Sequence, residues 1–191
     1  MLFRSLYKET ESFVKMMIQA ANGMKLPLPI PKFHTVQSDG VGVYISEIER
    51  ILSQGTATLL FCVITTNKLD LYNAIKKKCC VDRAIPTQIV ISKTLQHKSA
   101  FSIATKVVIQ MNCKMGGAPW TVIIPTDRMM VIGYDVCHHP RNKKLSYGAM
   151  VASLDRNQTK YFNCVTQHSN GEELANEFSL NIKKALQKYS S

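Results

Sequence analysis

The chain has 191 residues, of which 46% are hydrophobic, and a formal net charge of +11. This length suffices for one large or two small globular domains, and the basic charge favours polyanionic partners, with nucleic acid and membrane surfaces both open. No stretch approaches the about 20 unbroken apolar residues of a transmembrane helix. The six cysteines lack the spacing of a disulfide framework, which favours a reducing compartment, cytosolic or nuclear.

The first thirty residues are predicted to form a helix and a connector. Apolar residues recur at helical spacing over residues 2–22, and Gly23 ends the pattern. The proline-rich run 26–31 can continue neither a helix nor a central strand, so we predict an extended connector there. A domain boundary is therefore predicted near Pro31.

The next segment alternates between helix and strand. The predicted elements are a short helix around 43–52, a strand over 58–65, a helix over 69–79, a strand over 87–91 and a helix over 99–113. This order is typical of a parallel sheet, whose ligands are expected at the carboxyl ends of the strands. The loop at one such end is Thr65-Thr66-Asn67-Lys68.

Two of these helices carry polar, cationic rows, because residues four apart share a helical face. If the helices converge, their ammonium, phenol and amide donors could hold a terminal phosphate, which needs several donors at once. Alternatively, each residue is an ordinary solvated or packed side chain. The residues are Tyr72 and Lys76 on the first helix, Gln88 on the strand between, and Lys106, Gln110 and Lys114 on the second helix.

A second unit is predicted from residue 121 onwards. Strands over 129–136, 147–154 and 160–165, with Asn157 in a turn, indicate an antiparallel meander, and a helix over 171–189 follows. An acidic residue on the first strand, followed by this helix, resembles the opening half of a ribonuclease H-like fold. Zinc is not predicted at Cys137, His138 and His139, because consecutive ligands rarely reach one metal ion.

Six motifs, taken in order, resemble the Argonaute superfamily, and specifically its Piwi branch. They are Tyr72-Asn73-Ala74-Ile75-Lys76, Pro86-Thr87-Gln88, Ala104-Thr105-Lys106, Gln110-Met111-Asn112-Cys113-Lys114-Met115-Gly116-Gly117, Gly133-Tyr134-Asp135-Val136 and Val151-Ala152-Ser153. The resemblance implies an α/β fold, with a Rossmann-like MID domain over residues 31–125 followed by the N-terminal part of a ribonuclease H-like PIWI domain over 126–191. Residues 1–30 would be a linker helix and connector.

The resemblance implies that the MID domain anchors the 5′-phosphate of a single-stranded small guide RNA. Tyr72 would stack on the first base and donate its hydroxyl, Lys76 and Lys114 would bind phosphate oxygens, and Gln88 would add an amide donor.

The same resemblance assigns the edge of the first base to the loop Thr65, Thr66, Asn67 and Lys68. Gln110 stands where other Argonautes carry a lysine, so a divalent cation such as Mg²⁺ is expected to supply the missing charge.

The PIWI domain is the RNA-cleaving module of the family, and such nucleases hold two Mg²⁺ ions between carboxylates. Asp135 matches the first catalytic aspartate and metal ligand, and Glu173 is a better match than Glu172 to the family's catalytic glutamate. As isolated residues, an Asp at a strand end and a Glu at a helix start are more often a cap or a partner of the helix dipole. The second catalytic aspartate and the final histidine are expected beyond Ser191, so no RNA cleavage is predicted for this chain alone.

The predicted function is binding of the 5′-phosphorylated end of a small RNA (piRNA), with uridine first, in germline transposon silencing. Target RNA is expected as a partner of the full-length protein, protein partners are possible, and no membrane partner is expected. The expected location is cytoplasmic, including perinuclear granules, with the nucleus left open. The sequence is expected to be a fragment, a truncated product or a partial gene model.

Three alternatives remain from the sequence. One is a Mg²⁺-dependent RNA-guided endoribonuclease in the full-length form, and another is a protein-interaction module that uses the exposed strands of the second unit. The third, an unrelated mononucleotide-binding protein, fits poorly because residues 65–68 contain no glycine to wrap a phosphate.

Overall fold

The structure is a computed structural model that describes residues 1–26, 28–55, 57–126, 128–139, 142, 144–168 and 173–189; for Phe3 and residues 173–176 it describes the backbone alone. The chain divides into two units, Met1–Pro119 and Trp120–Ser191. The sequence predicted a second unit from residue 121, with the second domain implied by the resemblance beginning at 126; the structural division falls after Pro119.

The first unit alternates short strands with longer helices. In chain order the elements are β1 (Leu2–Phe3), α1 (Tyr7–Gly23), β2 (Thr35–Val36), α2 (Val41–Ser53), β3 (Leu60–Ile64), α3 (Leu69–Lys77), β4 (Thr87–Ile91) and α4 (Ala100–Lys114). Short 3₁₀ turns lie at Arg4–Leu6 and Ser92–Thr94, and a π-helical turn at Lys78–Asp82 continues α3.

The central pair of the first unit is β3 and β4, which run parallel with Leu60 opposite Thr87 and Ile64 opposite Ile91. The run of apolar, mostly buried residues in β3 suits a parallel strand that is covered on both faces. Two neighbouring parallel strands need a crossover, and α3 provides it. The predicted α/β class and the predicted bounds of β4 are confirmed.

The N-terminal segment differs from its predicted form. Leu2–Phe3 is a strand that pairs in parallel with Thr35–Val36, and the helix begins only at Tyr7. The reason is tertiary: the amide of Val63 in β3 donates to the carbonyl of Met1 at 2.9 Å. A backbone bonded to a neighbouring strand cannot also form helical hydrogen bonds.

Helix α1 belongs to the core of the first unit. Phe13 and Ala21 are fully buried, and they share one cluster with Ala104 and Val108 of α4. The structure therefore packs the predicted linker helix against the predicted MID domain, with no break in packing near residue 31.

The second unit is an antiparallel meander with one helix. Its elements are β5 (Ile132–His138), β6 (Ser146–Ser153), β7 (Tyr161–His168) and α5 (Glu173–Tyr189), in the sheet order β5-β6-β7. One face of the sheet is buried through Met150 and Ala152 in a cluster with Ala185 of α5, while Val151 and Val165 on the other face are exposed. The predicted meander is confirmed, although each strand begins or ends one to three residues from its predicted bounds. No helix in the described ranges combines the length and apolarity needed to cross a membrane.

We predict that Phe13→Ala lowers the free energy of unfolding of the first unit by about 3–5 kcal/mol, because it leaves a cavity at a fully buried position. Phe101→Ala is the matched control, since the Phe101 ring at the start of α4 is 48% exposed, and we expect a loss of about 1 kcal/mol or less. Hydrogen exchange of peptides from residues 1–119 in urea would measure both. Similarly small effects would contradict the packing of α1 into this core.

Candidate functional site

Two lysine ammonium groups meet at one backbone carbonyl. The Nζ atom of Lys76, near the end of α3, donates to the Thr87 oxygen at 3.2 Å. The Nζ atom of Lys114, the last residue of α4, donates to the same oxygen at 2.8 Å. Like charges held this close repel each other, and an anion placed between them would relieve the repulsion.

A chain of side-chain amides extends from this pair towards the surface. The Lys114 ammonium also donates to Gln88 Oε1 at 2.6 Å, and Gln88 Nε2 donates to Gln110 Oε1 at 3.1 Å. Gln88 is only 6% exposed, whereas Gln110 is exposed. The ammonium donor determines which way the Gln88 amide faces, because an ammonium can bond only to the oxygen.

Tyr72 places an aromatic ring beside the lysine pair. It lies one helical turn before Lys76 on α3, and the Lys76 Nζ atom is 5.9 Å from the ring centroid, within the range of a cation–π contact. The side chain is 40% exposed. A ring surface next to two ammonium groups is therefore open to solvent.

The positive charge of the site is not neutralised by acidic residues. Among the described residues, no Asp or Glu forms an ion pair with Lys76 or Lys114. Burial lowers the pKa of the Lys114 ammonium because it removes water from the charged form, and the neighbouring Lys76 lowers this pKa further, with a partial opposing effect from the Cys80 thiol. We call the five residues Tyr72, Lys76, Gln88, Gln110 and Lys114 the lysine cluster.

The loop of residues 65–68 connects β3 to α3. Thr65 is half-buried, its hydroxyl donates to Asp39 Oδ2, and its carbonyl accepts a hydrogen bond from Ser92 Oγ at 3.2 Å. Thr66, Asn67 and Lys68 are exposed, and the amide of Tyr72 donates to the Lys68 carbonyl at 3.2 Å in the first turn of α3. The loop therefore lies at the start of α3, and Lys76 lies near its end.

The lysine cluster lies at the opposite edge of the β3–β4 pair from the one where the strand order predicts ligands. Ligands were expected beyond the carboxyl ends of the strands, yet Thr87 is the first residue of β4. Only the loop of residues 65–68 lies at the carboxyl edge. The cause is that α3 and α4 both return against the direction of the parallel strands, so that their last turns, with Lys76 and Lys114, reach the amino end of β4.

The structure thus brings five predicted side chains together and leaves one out. No hydrogen bond or ion pair joins Lys106 to the cluster within the part of the chain that the structure describes. Sequence reasoning missed the Thr87 carbonyl, because a backbone acceptor has no side-chain signature; its position directly before Gln88 was the only available signal. The roles of the five side chains remain predictions.

The cluster offers Mg²⁺ few ligands of its own. Mg²⁺ prefers carboxylate, carbonyl and water oxygens. Apart from the Tyr72 hydroxyl, three protein oxygens lie at the cluster; all three already accept hydrogen bonds, and no described carboxylate is paired with the two lysines. The residues as they stand do not fit a cation held by the protein alone. The three oxygens are Thr87 O, Gln88 Oε1 and Gln110 Oε1.

The second unit carries the predicted catalytic carboxylates. Asp135 is exposed on β5, and its Oδ1 atom accepts the amide of Val136 at 2.9 Å. Glu173 is the first residue of α5, but its side chain lies outside what the structure describes, as does Glu172 altogether. A catalytic or metal-binding role for Asp135 and Glu173 therefore stays a prediction.

The consecutive residues Cys137, His138 and His139 each have a separate partner. The Cys137 thiol donates to the His138 carbonyl, the His138 ring bonds to Ser146 Oγ, and the His139 ring accepts the amide of Asn142. In the described ranges, no three His, Cys, Asp or Glu side chains are grouped so as to hold a metal ion.

Comparison with known proteins gives one family. The family model described as the Piwi domain matches residues 59–191. The Piwi-like protein Siwi of Bombyx mori is 45% identical over 182 residues, and the protein aubergine of Drosophila melanogaster is 40% identical over 188 residues. Each match covers 95% of this chain but only 20% and 22% of the relative, respectively, so the chain spans about a fifth of the length of these curated relatives.

Solved structures lead to the same result. The crystal structure of Drosophila Piwi is 34% identical, with a TM-score of 0.89 over 98% of this chain and 26% of that chain. The Kluyveromyces polysporus Argonaute solved with a guide RNA has a TM-score of 0.78 over 97% of this chain and 23% of that chain, and at 17% identity it shows a likeness of fold alone. With a family model that matches most of its length and relatives that are 40–45% identical, the chain belongs to the Piwi family of the Argonaute superfamily.

Proposed function

We propose that the first unit binds the 5′-phosphorylated end of a single-stranded small RNA, and that in the whole protein this RNA guides recognition of target RNA. The observation that carries the proposal is the meeting of two ammonium groups, without an acidic partner, at the Thr87 carbonyl beside the exposed ring of Tyr72. Membership of the Piwi family supports a small-RNA-guided function in general.

The ammonium N–H groups of Lys76 and Lys114 that are not used in hydrogen bonds within the protein suit a terminal phosphate. Such a group carries a charge of about −1.5 to −2 at neutral pH and three acceptor oxygens. An ammonium has three N–H donors. Lys114 uses two of them on Thr87 and Gln88, and Lys76 uses one on Thr87, so three N–H groups remain for the three oxygens.

The rest of the first nucleotide fits along α3. Its base would stack on the Tyr72 ring, a contact worth about 1–3 kcal/mol per base and tolerant of sequence. The loop of residues 65–68 leads into the first turn of α3, where the Tyr72 amide donates to the Lys68 carbonyl, so its exposed groups are suited to the edge of that base. A single-stranded RNA end is required, because only an unstacked base can lie on the ring.

The class of guide RNA, the biological process and the cellular location are proposed from sequence similarity to the relatives. Similarity to Siwi, aubergine and piwi supports the piRNA class of guide and, through it, transposon silencing in the germline. We also propose protein partners and a cytoplasmic location that includes perinuclear granules. The free thiol state of all six cysteines is compatible with a reducing compartment.

We propose that Mg²⁺ binds at this site only together with the phosphate. Because the oxygens of the cluster are already engaged, the phosphate itself would supply most of the ligands, and the cation would offset the charge that a lysine at position 110 would otherwise carry.

The first test compares RNA that carries a 5′-phosphate with the same RNA that carries a 5′-hydroxyl, at physiological salt. We predict that the wild-type chain prefers the phosphate, and that Lys76→Ala and Lys114→Ala each weaken phosphate binding about 10- to 100-fold, the loss expected for a hydrogen bond between charged groups. Lys77→Ala is the matched control, because Lys77 is an exposed neighbour on the same helix. Equal binding of both RNAs by the wild-type chain would refute the proposal.

The second test follows the Lys114 ammonium by NMR across a pH titration. We predict that its pKa is below the usual lysine range, that Lys76→Met raises it, and that a phosphate monoester raises it too. Between the lowered folded pKa and the higher unfolded pKa, the folded chain binds fewer protons, so this group makes stability rise with pH while phosphate binding weakens. Lys106→Met, on the same helix but outside the cluster, should leave this pKa in place. No response to Lys76→Met would contradict the observed geometry.

The third test removes divalent cations. We predict that chelation weakens binding of 5′-phosphorylated RNA to the wild-type chain about tenfold, the effect of one charge-assisted contact, and that Gln110→Lys is insensitive to chelation. RNA with a 5′-hydroxyl controls for general effects of the chelator. Unchanged affinity of the wild-type chain would remove Mg²⁺ from the proposal and leave the lysine cluster as the phosphate site.

A further inference from the structure

A carboxylate outside the lysine cluster contacts the loop of residues 65–68. Asp39 lies in the segment just before α2, and its Oδ2 atom accepts the hydroxyl of Thr65, the residue that follows β3. A hydroxyl bonded to an ionised carboxylate forms a stronger hydrogen bond than a neutral pair does. The side chain of Thr65 is therefore held from the side of α2.

The backbone of Thr65 is held from another side. Ser92, the first residue after β4, donates its hydroxyl to the Thr65 carbonyl at 3.2 Å. Two residues before Thr65, in β3, the Val63 carbonyl accepts a hydrogen bond from the hydroxyl of the fully buried Tyr44 in α2 at 2.8 Å. Three separate contacts thus determine where β3 ends and in which direction the loop leaves it.

The remaining loop residues have no such support. Thr66, Asn67 and Lys68 are exposed, and among the described residues their side chains form no hydrogen bond. Loop direction therefore depends on Thr65 at one end and on the first turn of α3 at the other. We call the two hydrogen bonds from Asp39 and Ser92 to Thr65 the Thr65 clamp.

The second carboxylate oxygen of Asp39 lies in a less favourable environment than the first. Oδ1 is buried and has no hydrogen-bond partner among the described residues. Burial of an unpartnered polar atom is unfavourable, and such exceptions in a folded chain call for an explanation. Turning Asp39 outwards would hydrate this oxygen but would release Thr65, so the position of Asp39 favours the loop over the solvation of its own carboxylate.

We propose that Asp39 and Ser92 are positioning residues that set the first-base selectivity of guide binding by holding Thr65 in one orientation. The inference rests on the proposed function, because it assigns a task to the loop within the same RNA-end site. Neither residue touches the base: each acts through Thr65, whose orientation decides which polar groups of residues 65–68 face the base edge.

The test measures dissociation constants for four 5′-phosphorylated single-stranded RNAs that differ only in their first nucleotide, and for their 5′-hydroxyl counterparts. We expect the wild-type chain to discriminate among the four bases. Asp39→Ala and Ser92→Ala should each reduce the ratio between the strongest and the weakest binder by about threefold or more, since each removes one hydrogen bond of the clamp. Both variants should keep the ratio of the dissociation constants for hydroxyl and phosphate RNA within about twofold of the wild-type ratio, because neither residue belongs to the lysine cluster.

Two further variants separate positioning from a general loss of structure. Thr65→Ser keeps the hydroxyl and should retain the first-base selectivity. Thr65→Val removes the hydroxyl and should lower the selectivity, and adding Asp39→Ala to Thr65→Val should then have little further effect. Ser53→Ala is the matched control: Ser53 lies at the end of α2, is exposed, and donates only to the Glu49 carbonyl at 2.8 Å.

The comparison among the four first bases tests the clamp proposal, and the comparison of phosphate with hydroxyl RNA tests the proposed function, so either proposal can fail without the other. Equal binding of all four first bases by the wild-type chain would overturn the clamp proposal, as would an unchanged ratio in both Asp39→Ala and Ser92→Ala. Loss of the phosphate preference in Asp39→Ala, as large as in Lys76→Ala, would also overturn it, because Asp39 would then support the whole site. Failure of the proposed function appears elsewhere, as a wild-type chain that does not distinguish phosphate from hydroxyl RNA.

Discussion

The parallel pairing of β3 with β4 is the constraint on which the first unit depends. Two adjacent parallel strands cannot be joined by a tight turn, so the chain must return along the sheet as a helix. Helix α3 makes that return between the strands, and α4 repeats it after β4. Both helices therefore end beside the amino end of β4, where Thr87 presents its carbonyl.

This topology explains why positive charge is concentrated at a place where the helix dipoles alone would disfavour an anion. The carboxyl end of a helix carries partial negative charge, which favours cations and repels anions. Lys76 lies in the last turn of α3 and Lys114 ends α4, so each lysine first compensates its own helix. Two such ends side by side concentrate enough ammonium groups to exceed that compensation, and with no described acidic partner the surplus is available to a phosphate.

Helix α3 also connects the two halves of the candidate site. Lys76 stands near its end, Tyr72 one turn earlier, and the loop of residues 65–68 leads into its first turn. A terminal nucleotide has the same order of parts, phosphate followed by base. The order of these parts along α3 therefore matches the order of the phosphate and the base in a terminal nucleotide.

The sequence alone determined what depends on local pattern and residue identity. The short segment 87–91, which ends in Ile89-Val90-Ile91, predicted β4 closely, and the helical periodicity over 99–113 predicted α4 closely. Both predictions succeed because the period of apolar residues reflects which face of an element is buried. The ordered motifs identified the family, because they are made of side chains that the sequence states directly. The tertiary structure decided what depends on partners distant along the chain: the strand at Leu2–Phe3, the shared Thr87 carbonyl and the contact of Asp39 with Thr65. These features join backbone groups or residues more than ten positions apart, and no local pattern records which distant group will satisfy a given donor or acceptor.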